Sequence, residues 1–371
     1  MRLALRELRR RPGRFGVATV ILTLIALLLM FLGGLLDGLL DSSTGAYRAQ
    51  QGDVLVYSTA SRDSLVRSRI TPDQRALIDE VEGVEATGGL GSVQLGARRD
   101  GEPDSRDLLA TVLLGYELAP RGLPAEPPRA GTVIADSVLR ADGVEEGDVL
   151  LLGPQRSEVE VVGFVEDTQY SGQASLWGSL ETWREVAAAN RPGQAAGEGI
   201  VQAVVVRTSG DPAGVIDGIE SATDDTTHAL TLEEATDALP GVSQQRSTFN
   251  QIIGVTVIVA LVVVALFFAL ITVERTALYG ILKAVGASGR TLFGGVVVQA
   301  VIVTLVASLI GAGASLVLDA VIPAGSIPFQ TSLGRLASSV VLLLVAAVLG
   351  CAFSMRRVLR IDPASAIGSA S

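Results

Sequence analysis

The chain's one histidine, His228, sits in "DDTTHALT", and its one cysteine, Cys351, lies far off in an apolar run. Zinc sites of the usual kind draw three or four ligands from Cys, His and carboxylates. One of each, so separated, argues against that chemistry, and an HExxH motif cannot be written. His228 reads as a surface histidine in a turn, and Cys351 as a small apolar helix residue with no intrachain disulfide partner. "ADGVEEGD" (141–148) groups carboxylates at short spacing but lacks the ligand order of a calcium loop. It reads as a turn between a helix end and a strand. "GASGRT" (286–291) has the outline of a phosphate loop without its G-K-[ST], and the only lysine, Lys283, is followed by alanine. No Walker A loop and no G-x-S-x-G elbow can be built. The expectation is a non-enzymatic chain with no catalytic residue and no cofactor or metal site of its own.

Composition points to a membrane. The 371 residues are 49% hydrophobic and only 18% charged, against roughly 25% charged in soluble domains, and the mean hydropathy is +0.46. Four stretches are free of charge: Phe15–Leu36, Ile252–Val273, Thr291–Leu318 and Leu336–Met355. About 20 apolar residues cross a hydrocarbon core, so each can span. The first follows a basic opening, "MRLALRELRRRPGRF", but is longer than a signal-peptide h-region. It reads as an uncleaved anchor. Membrane lipid is thus a partner, and nothing points to nucleic acid.

Charge orients the spans. Net charge is −10 overall, while residues 41–250 hold 34 acidic and 16 basic side chains, a net of −18. Short flanks rich in arginine mark the cytoplasmic side. They are Arg2, Arg6, Arg9, Arg10, Arg11 and Arg14; Arg275, Lys283 and Arg290; and Arg356, Arg357 and Arg360. The expected organisation is a cytoplasmic basic segment (1–14), a first span (15–40), an extracytoplasmic domain (41–247), a second span (248–273), a cytoplasmic loop (274–290), a third span (291–318), a short exterior loop (319–335), a fourth span (336–355) and a cytoplasmic tail (356–371). Both termini are then cytoplasmic. The fold class is a membrane protein with four transmembrane α-helices and a large α+β extracytoplasmic domain between the first two.

That domain is long enough for its own core. "DVLVY" (53–57), "VLLGY" (112–116), "TVIA" (132–135), "DVLLLG" (148–153), "EVEVVGFV" (158–165) and "AVVVR" (203–207) read as strands. Thr71 followed by Pro72 starts a helix, and a second helix opens at Pro212. Residues 231–251 read as a helical stalk broken near Pro240. In the spans, Gly34, Gly38 and Gly311 offer small-residue faces for helix packing, within the chain or between copies. Gln299 is the most polar residue at depth, placed to hydrogen-bond a neighbouring helix.

The loop "ERTALYGILKAVGASGRTLF" (274–293) is the most informative stretch. Leu278, Ile281, Leu282 and Val285 recur at helical spacing. Glu274, Arg275 and Lys283 lie largely off that stripe, and Gly286 suits a C-terminal stop. Periodicity alone leaves two readings open, a helix lying on lipid or one docked in a protein groove.

"ERTALYGILKAVGAS" resembles the loop after the second span of FtsX/MacB-type (type VII) ABC transporter permeases, where E-R-x-x-E-I-G-x-L-[KR]-A-[IL]-G-A is usual. Residues 131–186 are similar to the family's MacB-like exterior domain, and "RRVLRIDPASAIG" (356–368) to its tail; "SLETW" is similar to the DevC-like branch. Leu278 and Tyr279 stand where the family has Glu-Ile, which removes any ion pair made through that glutamate. The resemblance implies a dimer of permeases, with a second copy or close paralogue, served by two copies of an ABC ATPase that hold the ATP and Mg. It makes 274–286, including Tyr279, an ATPase-coupling helix. It also implies mechanotransmission in a bacterial inner membrane, either driving export or extraction or, as in FtsX itself, activating an extracellular cell-wall hydrolase. An adaptor protein is a further implied partner.

Overall fold

The computed structural model describes residues 12–100, 108–194, 197–274, 288–322 and 327–358. The sequence-predicted loop residues 275–287 and tail residues 359–371 lie outside these. In chain order the first elements are α1 (Pro12–Arg48), β1 (Val54–Ser58), α2 (Pro72–Asp79), β2 (Val84–Arg99), β3 (Leu109–Tyr116), β4 (Thr132–Asp136), β5 (Val149–Leu152) and β6 (Ser157–Val165). There follow β7 (Ala174–Ser179), α3 (Leu180–Asn190), β8 (Ala203–Thr208), α4 (Pro212–Ala222), β9 (Thr227–Thr231), α5 (Leu232–Asp237), α6 (Val242–Glu274), α7 (Gly289–Val321) and α8 (Leu333–Val358). The chain divides into two compact units, Leu39–Gln245 and the pair of segments Met1–Gly38 and Arg246–Ser371.

The unit of flanking segments is a helix bundle. Among the described residues four helices, α1, α6, α7 and α8, are long and apolar enough to cross a membrane. Their outward side chains are large and apolar, with Leu266 66%, Leu270 57% and Val317 62% exposed. Such a continuous apolar surface is at home in lipid, not water. The inward faces carry small residues. Ala300 and Ala307 of α7 and Ala347 and Cys351 of α8 are buried with Phe15, Ala18 and Leu22 of α1 and Phe268 of α6. A Cβ on Gly311 would come 3.0 Å from that of Ala26, and one on Gly350 would come 2.8 Å from the Leu261 carbonyl oxygen. Close backbone approach of this kind is how helices pack in lipid, where no hydrophobic force pushes them together.

The Leu39–Gln245 unit is built on one nine-stranded mixed sheet, in the order β3-β7-β4-β6-β5-β2-β8-β1-β9. Strand β2 also pairs with β3, so the path β2-β3-β7-β4-β6-β5 returns to β2. A closed ring leaves none of its strands with an unpaired edge. Among the described strands only β3–β7 and β4–β6 are parallel. The first half of β2 pairs with β8, continuing the sheet through β1 to β9.

Local sequence explains the helices here. Thr71 caps α2 in a reciprocal capping box with Gln74, with Pro72 in the first turn, and Asp211 caps α4 ahead of Pro212. Gly241, at φ +86°, follows Pro240 and separates α5 from α6.

Three strands go beyond those read from sequence: β2, β7 and β9. The longest, β2, contains "ATGGLGSVQLG", whose glycines disfavour a strand on propensity. Contacts made elsewhere require them. A Cβ on Gly89 would come 2.6 Å from Val201, and one on Gly91 2.5 Å from the Trp183 ring. His228 lies on β9, opposite Tyr57 of β1, and not in a turn. Thr227 and Ala229 alternate inward around it, a short pattern masked by the preceding polar "SATDDT".

Candidate functional site

Two places bear on function: the ends of the helices that flank residues 275–287, and the α1 face that meets the segment before α8. Glu274 is the last residue of α6 and is exposed, while α7 begins at Gly289. Arg275, Leu278, Tyr279, Ile281, Leu282, Lys283, Val285 and Gly286 lie outside the described residues. Their supports lie within them. On the α6 side Val264, Phe268 and Ile271 are buried; on the α7 side Val296, Ala300 and Val303 are buried. All six belong to one core, which α1 and α8 complete through Phe15 and Cys351. Gln299 is likewise buried, 4% exposed. The loop is therefore held at both ends by helices fixed in the same apolar cluster.

At the other end of the α1 span, Gly34 and Gly38 sit against the backbone of Pro328–Gln330. The Gln330 N–H donates to the Gly34 carbonyl at 3.1 Å. Asp37 and Arg335 form a two-pronged ion pair, with Arg335 Nε–H donating to Asp37 Oδ2 at 2.8 Å and Nη2 facing Oδ1. The charge-free stretch ends at Leu36, but the helix continues through Asp37. The sequence reading singles out neither Asp37 nor Arg335. The one signal available for the pair is that Asp37 follows Gly33 and Gly34 at i+4 and i+3 on α1.

In the Leu39–Gln245 unit, the last turns of α1 join the domain core. Ala46 N–H donates to the Gln169 carbonyl at 2.9 Å, and Ser171 N–H to the Ser43 carbonyl at 2.9 Å. Tyr57 Oη–H donates to Tyr47 Oη at 3.0 Å, and the Tyr47 and Tyr170 rings lie 5.6 Å apart. Burial raises the pKa of Tyr57 and Tyr170, and pushes Tyr116 up to about 12. These phenols stay neutral and structural at any ordinary pH. A second buried polar chain runs from Asp136, which accepts from the Val138 and Thr168 N–H groups at 3.0 and 2.8 Å and from Thr168 Oγ1 at 2.8 Å. Thr168 Oγ1 in turn lies 2.7 Å from Ser175 Oγ.

His228 Nδ1 lies 2.7 Å from Asp63 Oδ1, and Nε2 3.9 Å from Glu220 Oε1. Among the described residues no group of three or more His, Cys, Asp or Glu side chains is placed to hold a metal ion. Residues 141–148 are the turn before β5, with Glu145 N–H donating to Asp148 Oδ2 at 2.9 Å. These contacts fasten a domain together; they do not arrange a nucleophile, a base or an oxyanion site.

A helix bundle with a lipid-compatible surface and an α+β domain between its first two helices define a polytopic membrane protein. Residues 250–363 match the family described as FtsX-like permease C-terminal. This part of the chain is thus similar to an FtsX-like permease domain. A relative from Staphylococcus haemolyticus, named as a hemin transport system permease protein HrtB, is 20% identical over 369 residues, 99% of each chain. An uncharacterized ABC transporter permease of Mycobacterium tuberculosis is 35% identical over 112 residues, 30% of this chain and 31% of its own. The periplasmic region of MacB from Actinobacillus actinomycetemcomitans covers 50% of this chain and 92% of its own, with 10% identity and a TM-score of 0.34.

Proposed function

We propose that this permease transmits force: an ABC ATPase docks on the 274–286 helix, and ATP-driven closure of that ATPase moves the helices and with them the exterior domain, driving export or extraction of a substrate. The ATP and Mg belong to the partner, and two permease chains stand over two ATPases. The membrane is the bacterial inner membrane, with both termini and the coupling loop on the cytoplasmic side. The observation that carries this reading is the shared anchoring of the loop. Ile271 and Phe268 before it and Val296 and Ala300 after it are buried in one core. A push on a loop so held displaces α6 and α7 together, because a packed core does not absorb a shift by compressing.

The apolar stripe Leu278, Ile281, Leu282 and Val285 is the docking face. Replacing Leu282 with Glu puts a charge into an apolar contact, which costs several kcal/mol unless the charge is paired. The Leu282→Glu chain should reach the membrane in normal amount yet lose the ATPase that co-purifies with the parent chain in detergent. Undiminished ATPase recovery with Leu282→Glu overturns the docking reading.

A further inference from the structure

The face of α1 that carries Gly33, Gly34 and Gly38 is filled by this chain's own residues 327–335. A Cβ on Gly34 would stand 2.5 Å from the Phe329 ring and 3.0 Å from the Gln330 carbonyl oxygen; on Gly38, 2.5 Å from the Pro328 carbonyl carbon; on Gly33, 2.8 Å from Arg335 Cδ. Phe329 is buried and its ring centroid lies 5.3 Å from that of Phe31. Beside this contact the Asp37 carboxylate receives the Arg335 guanidinium on both oxygens, with the two side chains only 25% and 29% exposed. Of the other helices, α1 meets α7 through Ala26 and Gly311, a contact with no charge in it.

We propose that residues 327–335 act as a clasp: the Asp37–Arg335 pair and the glycine-lined seat lock the end of span one to the head of span four, so that these two helices move as one body. Two features make the lock all-or-none. The glycine seat leaves no slack, since even one methyl group collides with the bound segment. The ion pair is largely withdrawn from water, so opening it must either rehydrate both charges or strand them near lipid. The seat is also occupied within one chain, so a glycine-mediated contact between two copies of span one at Gly34 and Gly38 requires the clasp to open first.

The test uses the full chain in lipid vesicles, needs no ATPase, and is therefore independent of the docking reading. Spin labels are placed at Leu28→Cys, exposed on α1, and Leu333→Cys, exposed at the start of α8, in a Cys351→Ser background. The distance distribution between them is measured by electron–electron resonance. The parent chain should give one narrow distribution; Asp37→Asn and Arg335→Gln should each broaden it at least twofold, and the exchanged pair Asp37→Arg with Arg335→Asp should narrow it again. Gly34→Ala, which leaves both charges in place, should broaden it as well, and serves if a charge variant fails to insert. Single variants that keep the parent distribution overturn the clasp. An exchanged pair that stays as broad as the singles overturns the ion pair as its fastening.

Discussion

Gly91 on β2 is paired directly with Gly115 on β3, and the Trp183 side chain rests on both. A Cβ on Gly91 would stand 2.5 Å from the indole ring, and one on Gly115 2.8 Å from the Trp183 Cβ. Cross-strand partners share a face of the sheet, so the two glycines form a flat seat into which α3 presses a fully buried tryptophan. Adding a methyl group to either position overpacks this site, a change that costs about 1–3 kcal/mol. Gly91→Ala should lower the apparent Tm of the exterior domain, followed by Trp fluorescence, and Trp183→Phe in the same chain should recover part of the loss. Additive losses in the double variant would sink this account, because residues in contact couple.

Asp136 carries a different load. Its buried carboxylate satisfies three donors, from Val138 and Thr168. Asp136→Ala removes the acceptor of the Val138 and Thr168 N–H groups, while Thr168 Oγ1 keeps Ser175 Oγ, at a cost of about 2–4 kcal/mol. Asp136→Asn keeps one acceptor oxygen and should cost less. Denaturant unfolding of the full chain in detergent reads the order Asn above Ala; equal midpoints for the two variants count against it.

Alkaline pH should loosen the exterior domain before any other part. Burial raises Tyr57 and Tyr170 and pushes Tyr116 up to about 12. A phenol whose folded pKa exceeds its unfolded value of about 10 adds stability that is complete below that pH and is lost as pH rises through the folded value. For Tyr116 the window runs from about pH 10 to about pH 12. The Tm should hold steady up to about pH 9 and fall above about pH 10, with tyrosinate absorbance lagging behind free tyrosine. A titration in which all five tyrosines ionise together with free tyrosine refutes the assignment.

The four spans were legible because lipid imposes its demand residue by residue: a helix that must be solvated by hydrocarbon has to be apolar along its whole length, and composition reports that locally. The helix starts at Thr71–Pro72 and Asp211–Pro212 were legible for the same reason, since a cap needs only residues within one turn. Legible too, through its motif, was the similarity of residues 250–363 to an FtsX-like permease domain. The tertiary structure alone decided that β2 is a strand, because its glycines answer to Trp183 and Val201, far away in the chain. It alone closed the ring through β2 and β3. It alone joined Asp37 to Arg335, which are 298 positions apart. Local pattern fixes what each segment can tolerate around it; which distant segment arrives there depends on long-range packing, and that has no local signature.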